Sequence, residues 1–403
     1  MGHGSVARIV LGLVATLALA IAANHPRVRR MSAAVGMHAV SSTGLPFLVL
    51  GAVFHLESVG ILTESVLGHL RPAFEFGLGW IGFAAGMHFD LRRIDRLPRG
   101  IESAVAIEVF VPMLTTAVVC VPVLLALKVF PGEGLFRSML LLCACAAASA
   151  PLDKSFASMG PAAAFLRDIT QQDEVASLAV LGIVAVFFRP ADATVYWKLP
   201  PSAWLLVALG VGALLGIVAF VLLRGARKPS ERIALLLGTV AFASGMAGAL
   251  ALSVPVTCAM AGALLANLPI PDDQGVRKIL IEFEGPLYLV FLVVVGASWD
   301  PRPWQGWAIG LGFAVARAYG KALGGRLAAR TVPGLPKEEV VFSALLPQSP
   351  IAIVVMVAAA MLHGGGDATI GWLIHAIILS AVLTELLAFF VRRRVVGQSE
   401  VVA

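Results

Sequence analysis

Long apolar stretches recur along the whole 403-residue chain, and most approach the roughly 20 residues that an α-helix needs to cross a bilayer. Hydrophobic residues make up 59% of the sequence and charged residues only 13%, whereas a soluble domain has about 25% charged residues. So few charges cannot cover the surface of a soluble fold. The sequence therefore predicts an all-α, polytopic membrane protein.

The apolar stretches divide into thirteen predicted membrane-spanning segments. The first resembles a signal peptide, but a basic cluster that resists translocation follows it at once (Arg27, Arg29 and Arg30). We therefore expect an uncleaved first span. The segments are 5–23, 35–53, 72–88, 102–127, 136–152, 171–188, 202–223, 231–249, 251–268, 280–298, 305–325, 340–362 and 368–390.

The basic residues are divided unevenly between the two sides of these segments. Of the 30 Lys and Arg residues, 21 lie in loops that follow odd-numbered segments and 7 lie on the other side. Because cytoplasmic loops have an excess of Lys and Arg, we predict a multi-pass inner (plasma) membrane protein with its N-terminus outside and its C-terminus in the cytoplasm. The same distribution makes these residues loop anchors, so the net charge of +6 does not indicate a nucleic-acid partner.

Proline interrupts two of the segments, the fifth near its end and the twelfth near its middle. Proline removes a backbone donor, and freed backbone groups are tolerated in a membrane only where they line a protein-buried or watery cavity. Paired interruptions in corresponding positions of two halves mark the substrate site of inverted-repeat transporters. The predicted helix-break residues are Ala148, Ser149, Pro151, Pro347, Gln348, Ser349 and Pro350.

The position of the breaks also predicts the organisation of the chain. Segments four to six correspond to segments eleven to thirteen, and the odd offset of seven inverts the second half. We expect a single transmembrane transporter domain over 1–403, with inverted repeats and two broken crossing helices. Repeat one covers about 35–190, a linker helix about 200–225, repeat two about 231–391, and a short cytoplasmic C-terminal tail 392–403.

Four ionisable residues within apolar segments are the strongest candidate functional residues, since a charge at bilayer depth costs at least ~2.5 kcal/mol. Asp173 and Glu174 lie at the start of segment six. Ionising both of two adjacent carboxylates in a low dielectric costs free energy, so such a pair can exchange protons for a small cation. The alternative is a pair of boundary residues in the headgroup zone. Arg317 and Lys321 are i, i+4 on one helix face; Arg317 should need a carboxylate partner, and Lys321 could snorkel.

Three further carboxylates are candidate gates. Glu284 lies with Glu282 on the first turn of segment ten, where carboxylates also complement the helix dipole. Glu108 in segment four and Glu385 in segment thirteen lie further inside their apolar stretches, where each is a gate or an ion-pair partner.

Motifs of other kinds of chemistry are missing from the sequence. It contains no HExxH, GxSxG or GxxxxGK[ST] motif, so we expect neither an enzyme nor a bound cofactor. The four cysteines lie in apolar stretches without metal-ligand partners at useful spacing, and we interpret them as small core residues. They are Cys120, Cys143, Cys145 and Cys258.

In their order and spacing, these features resemble the monovalent cation:proton antiporter superfamily, with its sodium/hydrogen exchanger-type membrane domain, from about residue 40 to 390. Residues 46–62 resemble the glycine-punctuated early helix of that family, and residues 74–94 resemble its "lFlaGlel" segment. Residues 286–296 (PLYLVFLVVVG) resemble its "plFFvxvG" helix, and Arg317 and Lys321 fall in its "R..GK" stretch.

The candidate site residues stand at the positions of the family's motifs, but several of them differ from the usual residue. Asp173 and Glu174 stand at the Asp-Asp or Asn-Asp ion-binding pair, with Glu174 in place of the usual second Asp. Ser-Ala-Pro at 149–151 stands where the family usually has Thr-Ser-Pro, and Gln-Ser at 348–349 stands where Arg-Gly is more usual.

This resemblance implies a secondary active antiporter that exchanges protons for Na⁺ or K⁺. Asp173 and Glu174 would bind the transported cation when ionised and the proton otherwise, and Arg317 with Lys321 would compensate charge. The resemblance also implies a homodimer in membrane lipid, in which a core domain slides against a dimerisation domain. Any nucleotide-binding regulatory domain would be a separate subunit.

Two other functions and the stoichiometry stay open on the sequence alone. A sodium-coupled organic-anion symporter of related fold would need a roomy polar pocket at both breaks. The altered break motifs also leave open a transport-inactive sensory or channel-like homologue. If Lys321 loses its proton during the cycle, two protons move per cation and transport is electrogenic, whereas an Arg317 partner favours 1:1 exchange.

Overall fold

Most of the chain is α-helix in a computed structural model. Predicted segment 5–23 and the first ten residues of segment 35–53 lie outside the described residues. Within these residues, the β-structure is limited to one isolated bridge. The structure describes residues 45–56, 61–94, 100–127, 133–152, 156, 160–189, 199–270, 273–332, 335–363 and 368–402.

The helices agree with the predicted all-α, multi-pass membrane protein. Six of those described are long and apolar enough to cross a membrane, namely α5, α7, α8, α9, α11 and α15 in the numbering below. In chain order, the helices are α1 (Leu45–His55), α2 (Glu64–His69), α3 (Arg71–Gly86), α4 (Leu91–Ile94), α5 (Ile101–Ala126), α6 (Glu133–Ala147), α7 (Pro161–Phe187), α8 (Pro201–Gly225), α9 (Pro229–Ala249), α10 (Val254–Asn267), α11 (Asp273–Ala297), α12 (Trp304–Thr331), α13 (Glu338–Leu345), α14 (Pro350–His363) and α15 (Ala368–Val402).

The helices form two compact units, and each unit draws on both halves of the chain. The described residues of Met1–Met87 and Thr194–Asp300 form the first unit, with α1–α3 and α8–α11. Those of His88–Ala193 and Pro301–Ala403 form the second unit, with α4–α7 and α12–α15. The repeat boundaries and the linker helix stay predictions.

In the first unit, α10 packs against both α3 and α8 at very short distance, which requires glycine. A Cβ added to Gly86 of α3 would clash with the carbonyl oxygen of Ala259. A Cβ added to Gly212 of α8 would lie 2.5 Å from the carbonyl oxygen of Thr257. The small residues of α8 therefore form a packing face inside this unit.

In the second unit, α12 packs against α5 and α15, while α7 packs against α6, α5 and α14. The approach of α12 to α5 is close, since a Cβ added to Gly320 would lie 2.6 Å from the Cα of Pro112. Lys321 follows Gly320 directly, and Glu108 lies one turn before Pro112. This packing therefore brings a buried lysine next to a buried glutamate.

Two predicted helix starts are wrong. Segment 171–188 belongs to α7, which begins ten residues earlier at Pro161, because proline is favourable in a first turn and Gly160 before it adopts a φ of +58°. Asp173 and Glu174 therefore lie in the helix interior. Likewise, α11 begins at Asp273 and not at 280, so Glu284 is not on its first turn.

Candidate functional site

The two predicted helix breaks contact each other in the second unit. Residues 148–151 follow α6 and form the first break, and residues 346–349 between α13 and α14 form the second. Ser149 and Gln348 pair as an isolated antiparallel bridge. The N–H of Ala150 donates to the carbonyl of Pro347 (2.8 Å), which helps to hold the two breaks together. The predicted pair of broken crossing helices is confirmed.

Local chemistry explains where the second break ends. Helix α14 begins at Pro350, whose missing N–H would have no helical partner in a first turn. The hydroxyl of Ser349 accepts a hydrogen bond from the N–H of Ile351 (3.1 Å), as an N-cap residue does. The sequence Ser-Pro at 349–350 is thus a helix-start signal in the middle of an apolar segment.

Each carboxylate of the acidic pair on α7 contacts one of the two breaks. The N–H of Ser149 in the first break donates to both oxygens of Asp173, at 3.1 and 3.2 Å. The hydroxyl of Ser349 in the second break donates to Oε1 of Glu174 at 2.6 Å. Asp173 is fully buried and Glu174 nearly so, with 6% of its surface exposed. Both side chains are thus enclosed by protein in the interior of α7.

Arg317 of α12 is fully buried and binds backbone carbonyls of both breaks. Its guanidinium donates to the carbonyl of Ala148 (2.9 Å) in the first break and to those of Leu346 and Pro347 (3.2 Å) in the second. In the described part of the chain it forms no ion pair with a carboxylate. The expected carboxylate partner of Arg317 is therefore absent there, because the guanidinium fork spans carbonyls that the helix breaks leave free.

Lys321, one turn further along α12, is the residue that pairs with carboxylates. Its Nζ lies 3.6 Å from Asp173 Oδ2 and 3.5 Å from Glu108 Oε2, and all three side chains are fully buried. The Lys321 ammonium also donates to the carbonyls of Ala147 (2.7 Å) and Glu108 (3.1 Å). Lys321 therefore does not snorkel to the membrane surface.

Five ionisable residues thus form one buried charge cluster. Its three carboxylates and two cationic groups give a formal charge of −1 when all are ionised. Because an uncompensated charge is expensive away from water, the cluster favours the uptake of one further positive charge. Its members are Glu108, Asp173, Glu174, Arg317 and Lys321.

His88 is a neighbour of this cluster that the sequence did not single out. Its Nδ1 lies 3.8 Å from Glu174 Oε2, and its backbone carbonyl accepts a hydrogen bond from Gln172 Nε2 (3.4 Å). The residue lies just after α3, where neither periodicity nor a proline break indicates a site. Only the tertiary packing of α7 brings it to Glu174.

The three candidate gates lie in different places. Glu108 belongs to the buried charge cluster as an ion-pair partner of Lys321. Glu284 lies on α11 in the first unit, and Glu385 lies partly buried on α15 in the second. Their role as gates stays a prediction.

Comparison of the whole fold with solved structures gives a match along nearly the full chain. The structure of the sodium proton antiporter MjNhaP1 from Methanocaldococcus jannaschii at pH 8 superposes with a TM-score of 0.64 and 15% identity, covering 97% of this chain and 98% of that one. This chain has a sodium/proton antiporter fold. An electron-microscopy structure of MjNhaP1 agrees, with a TM-score of 0.61, 15% identity and 96% of each chain covered.

The antiporter fold is not visible in the overall sequence. No protein-family model and no curated protein matches this chain. The fold that the superfamily resemblance implied is confirmed, and the two breaks and the acidic pair lie in one unit of it.

Proposed function

We propose that this protein is a secondary active antiporter that exchanges protons for a monovalent cation, Na⁺ or K⁺. Asp173 and Glu174 form the ion-binding pair, and the proton and the cation compete for it. The observation that supports this most strongly is the contact of each of these two buried carboxylates with a different helix break. Membrane transporters with broken helices bind their ions at such places.

The charge of the buried cluster explains why proton and cation would exclude each other. With a formal charge of −1, the cluster becomes neutral when it takes up either one proton or one monovalent cation. Binding both would leave a net positive charge in a low dielectric, which is as unfavourable as the empty state. Proton and cation therefore compete for the cluster, as the exchange of one ion for the other requires.

Lys321 and Glu108 favour a 1:1 stoichiometry. When a cation occupies Asp173, the Lys321 ammonium can keep its contacts with the Glu108 carboxylate and with two backbone carbonyls. The sequence tied 1:1 exchange to an Arg317–carboxylate pair, which the described residues lack, since the carboxylate partners belong to Lys321. Because Lys321 can keep the Glu108 carboxylate when a cation takes its place at Asp173, we nevertheless propose one proton per cation and electroneutral exchange.

The orientation and the partners are finer proposals. The distribution of 21 against 7 basic residues supports an outside N-terminus and a cytoplasmic C-terminus in the plasma membrane. A tag on the C-terminus should be inaccessible to an impermeant reagent in intact cells, and labelling from outside would overturn the orientation. The family resemblance supports a homodimer, which cross-linking in native membranes tests.

A pH-jump assay in proteoliposomes tests the function. The purified protein is reconstituted in vesicles that are acidic inside and contain a pH-sensitive dye. Na⁺, K⁺ or Li⁺ is then added outside, and antiport relieves the quenching of the dye. We expect a cation-dependent signal that Asp173→Asn and Glu174→Gln each abolish. The matched control is Glu282→Gln, which removes an exposed carboxylate of α11; it should keep wild-type activity.

Two outcomes would contradict the proposal. A wild-type protein that gives no response to any of the three cations is not a monovalent cation:proton antiporter. A response that survives both Asp173→Asn and Glu174→Gln would place the exchange at other residues. A signal that requires an added organic anion would instead support a symporter.

A further inference from the structure

Several backbone carbonyls at the crossing already have donors, which reduces what they can offer to a cation. Arg317 donates to the carbonyls of Ala148, Leu346 and Pro347, and Lys321 donates to that of Ala147. Beyond the two carboxylates, polar side chains at the crossing are therefore candidates for further oxygen ligands.

Two uncharged side chains at the crossing have buried atoms without a hydrogen-bond partner in the part of the chain that the structure describes. They are the carboxamide of Gln348, with both Oε1 and Nε2 unpaired, and the hydroxyl of Ser149. A buried polar atom that stays unpaired costs free energy, so such atoms usually mark an unseen ligand or water. Ser149 itself is fully buried.

These two side chains lie on the same side of the crossing. Ser149 and Gln348 are directly opposite in an antiparallel bridge, and opposite residues in such a pair project to the same face, with Cβ atoms about 4.5–5.5 Å apart. The backbone of Ser149 also touches Asp173, because its N–H donates to both carboxylate oxygens. Ser149 therefore contacts the proposed ion-binding carboxylate, and Gln348 lies directly opposite Ser149.

We propose that Gln348, together with Ser149, is a specificity-determining residue that binds the transported cation after it has lost part of its hydration shell. Amide and hydroxyl oxygens are neutral, hard ligands suited to Na⁺ and K⁺, and their number and spacing discriminate between cations of different size. A water molecule that stays on the cation can accept a hydrogen bond from Nε2 of Gln348. This inference rests on the proposed antiport function and names residues that set its cation preference.

The test measures apparent KM for Li⁺, Na⁺ and K⁺ at one pH in proteoliposomes of the full-length protein. Gln348→Leu keeps the approximate volume but removes both polar atoms, and we expect the KM of the preferred cation to rise about tenfold and the Na⁺/K⁺ preference to shrink. Gln348→Asn keeps the amide on a shorter side chain and should give an intermediate KM. The control is Thr257→Val, which removes a buried hydroxyl of the first unit that has no hydrogen-bond partner among the described residues.

Thermal unfolding of the same variants, with and without cation, separates a ligand from a structural role. We expect Gln348→Leu to lose most of the cation-induced rise in Tm. Unchanged KM values and Na⁺/K⁺ preference in Gln348→Leu would overturn this inference, even if its Tm fell, while leaving the antiport function intact. A wild-type protein that neither transports nor is stabilised by any of the cations would overturn both.

Discussion

Lys321 Nζ lies 3.6 Å from Asp173 Oδ2, and both side chains are fully buried. A cation that binds Asp173 must compete with an ammonium group that is already present. The lysine can yield because Glu108 offers it a second carboxylate at 3.5 Å. The competition between a fixed internal cation and a mobile external one is therefore part of the site.

Replacing Lys321 with Met should destabilise the protein in a pH-dependent way. The variant leaves Asp173 and Glu108 as unpaired buried carboxylates, and breaking a buried pair from one side costs about 3–5 kcal/mol. Because protonation neutralises these carboxylates, we expect the loss in Tm to be largest at alkaline pH and to shrink as pH falls. Thermal unfolding in detergent between acidic and alkaline pH measures it.

The control for this variant is Lys278→Met, which removes an ion pair with Glu282 at 3.9 Å on the exposed surface of α11. Exposed pairs contribute about 0–1 kcal/mol, so its Tm should stay close to wild type at every pH. If Lys321→Met behaved like Lys278→Met, the buried ion pairs would have no part in stabilising the fold.

Replacing Glu108 with Gln should weaken cation binding although Glu108 is not one of the two proposed ligands. The buried charge cluster then has a formal charge of 0, so a bound cation no longer neutralises it. In addition, Asp173 becomes the sole ion-pair partner of Lys321 within the cluster, and the lysine competes more strongly with the cation. We expect the apparent KM for the cation to rise at least about tenfold, a change of roughly 1.4 kcal/mol. Glu108→Asp retains the charge and should recover part of the affinity; a wild-type KM in Glu108→Gln would exclude this role.

Replacing Arg317 with Lys should lower stability although it conserves the charge. A lysine ammonium is a compact donor that cannot span two helix breaks as a guanidinium fork does, and each buried carbonyl left unpaired costs about 1–3 kcal/mol. We expect a lower Tm that added cation does not restore. Arg224→Lys, at the exposed end of α8, is the matched control and should be neutral.

The apparent KM for the cation should depend on pH, while the maximal rate at saturating cation should change much less. If protons and cations compete for the same carboxylates, as proposed, each fall of one pH unit in the acidic range raises the apparent KM up to about tenfold by mass action. Initial rates at several cation concentrations and pH values measure this. A KM that stays constant while only the maximal rate changes would indicate separate proton and cation sites.

The helix breaks could be predicted from the sequence because proline acts locally. The breaks lie where Pro151, Pro347 and Pro350 predict them. Proline alone does not decide a break, however, since Pro112 and Pro122 lie inside the continuous helix α5 and Pro286 lies inside α11. The acidic pair and the two basic residues were found for a similar reason, since charges within apolar stretches are rare.

The partners of those charges could not be predicted. Arg317 and Lys321 share one helix face, but which of them meets Asp173 depends on how α12 lies against α5 and the breaks. The start of α7 was missed because its first turns contain Arg167 and Asp168, which lower the hydropathy that marks a span. The contact between His88 and Glu174 joins residues far apart in the chain and leaves no local signal.

Proton release on cation binding tests the central claim most directly, since it needs neither vesicles nor a gradient. Purified protein in weakly buffered detergent solution, at a pH where the site is protonated, receives saturating Na⁺ or K⁺ while a pH indicator reports the released protons. We expect one proton to be released per cation bound, and none from the variant that combines Asp173→Asn with Glu174→Gln. Cation binding without any proton release would contradict it.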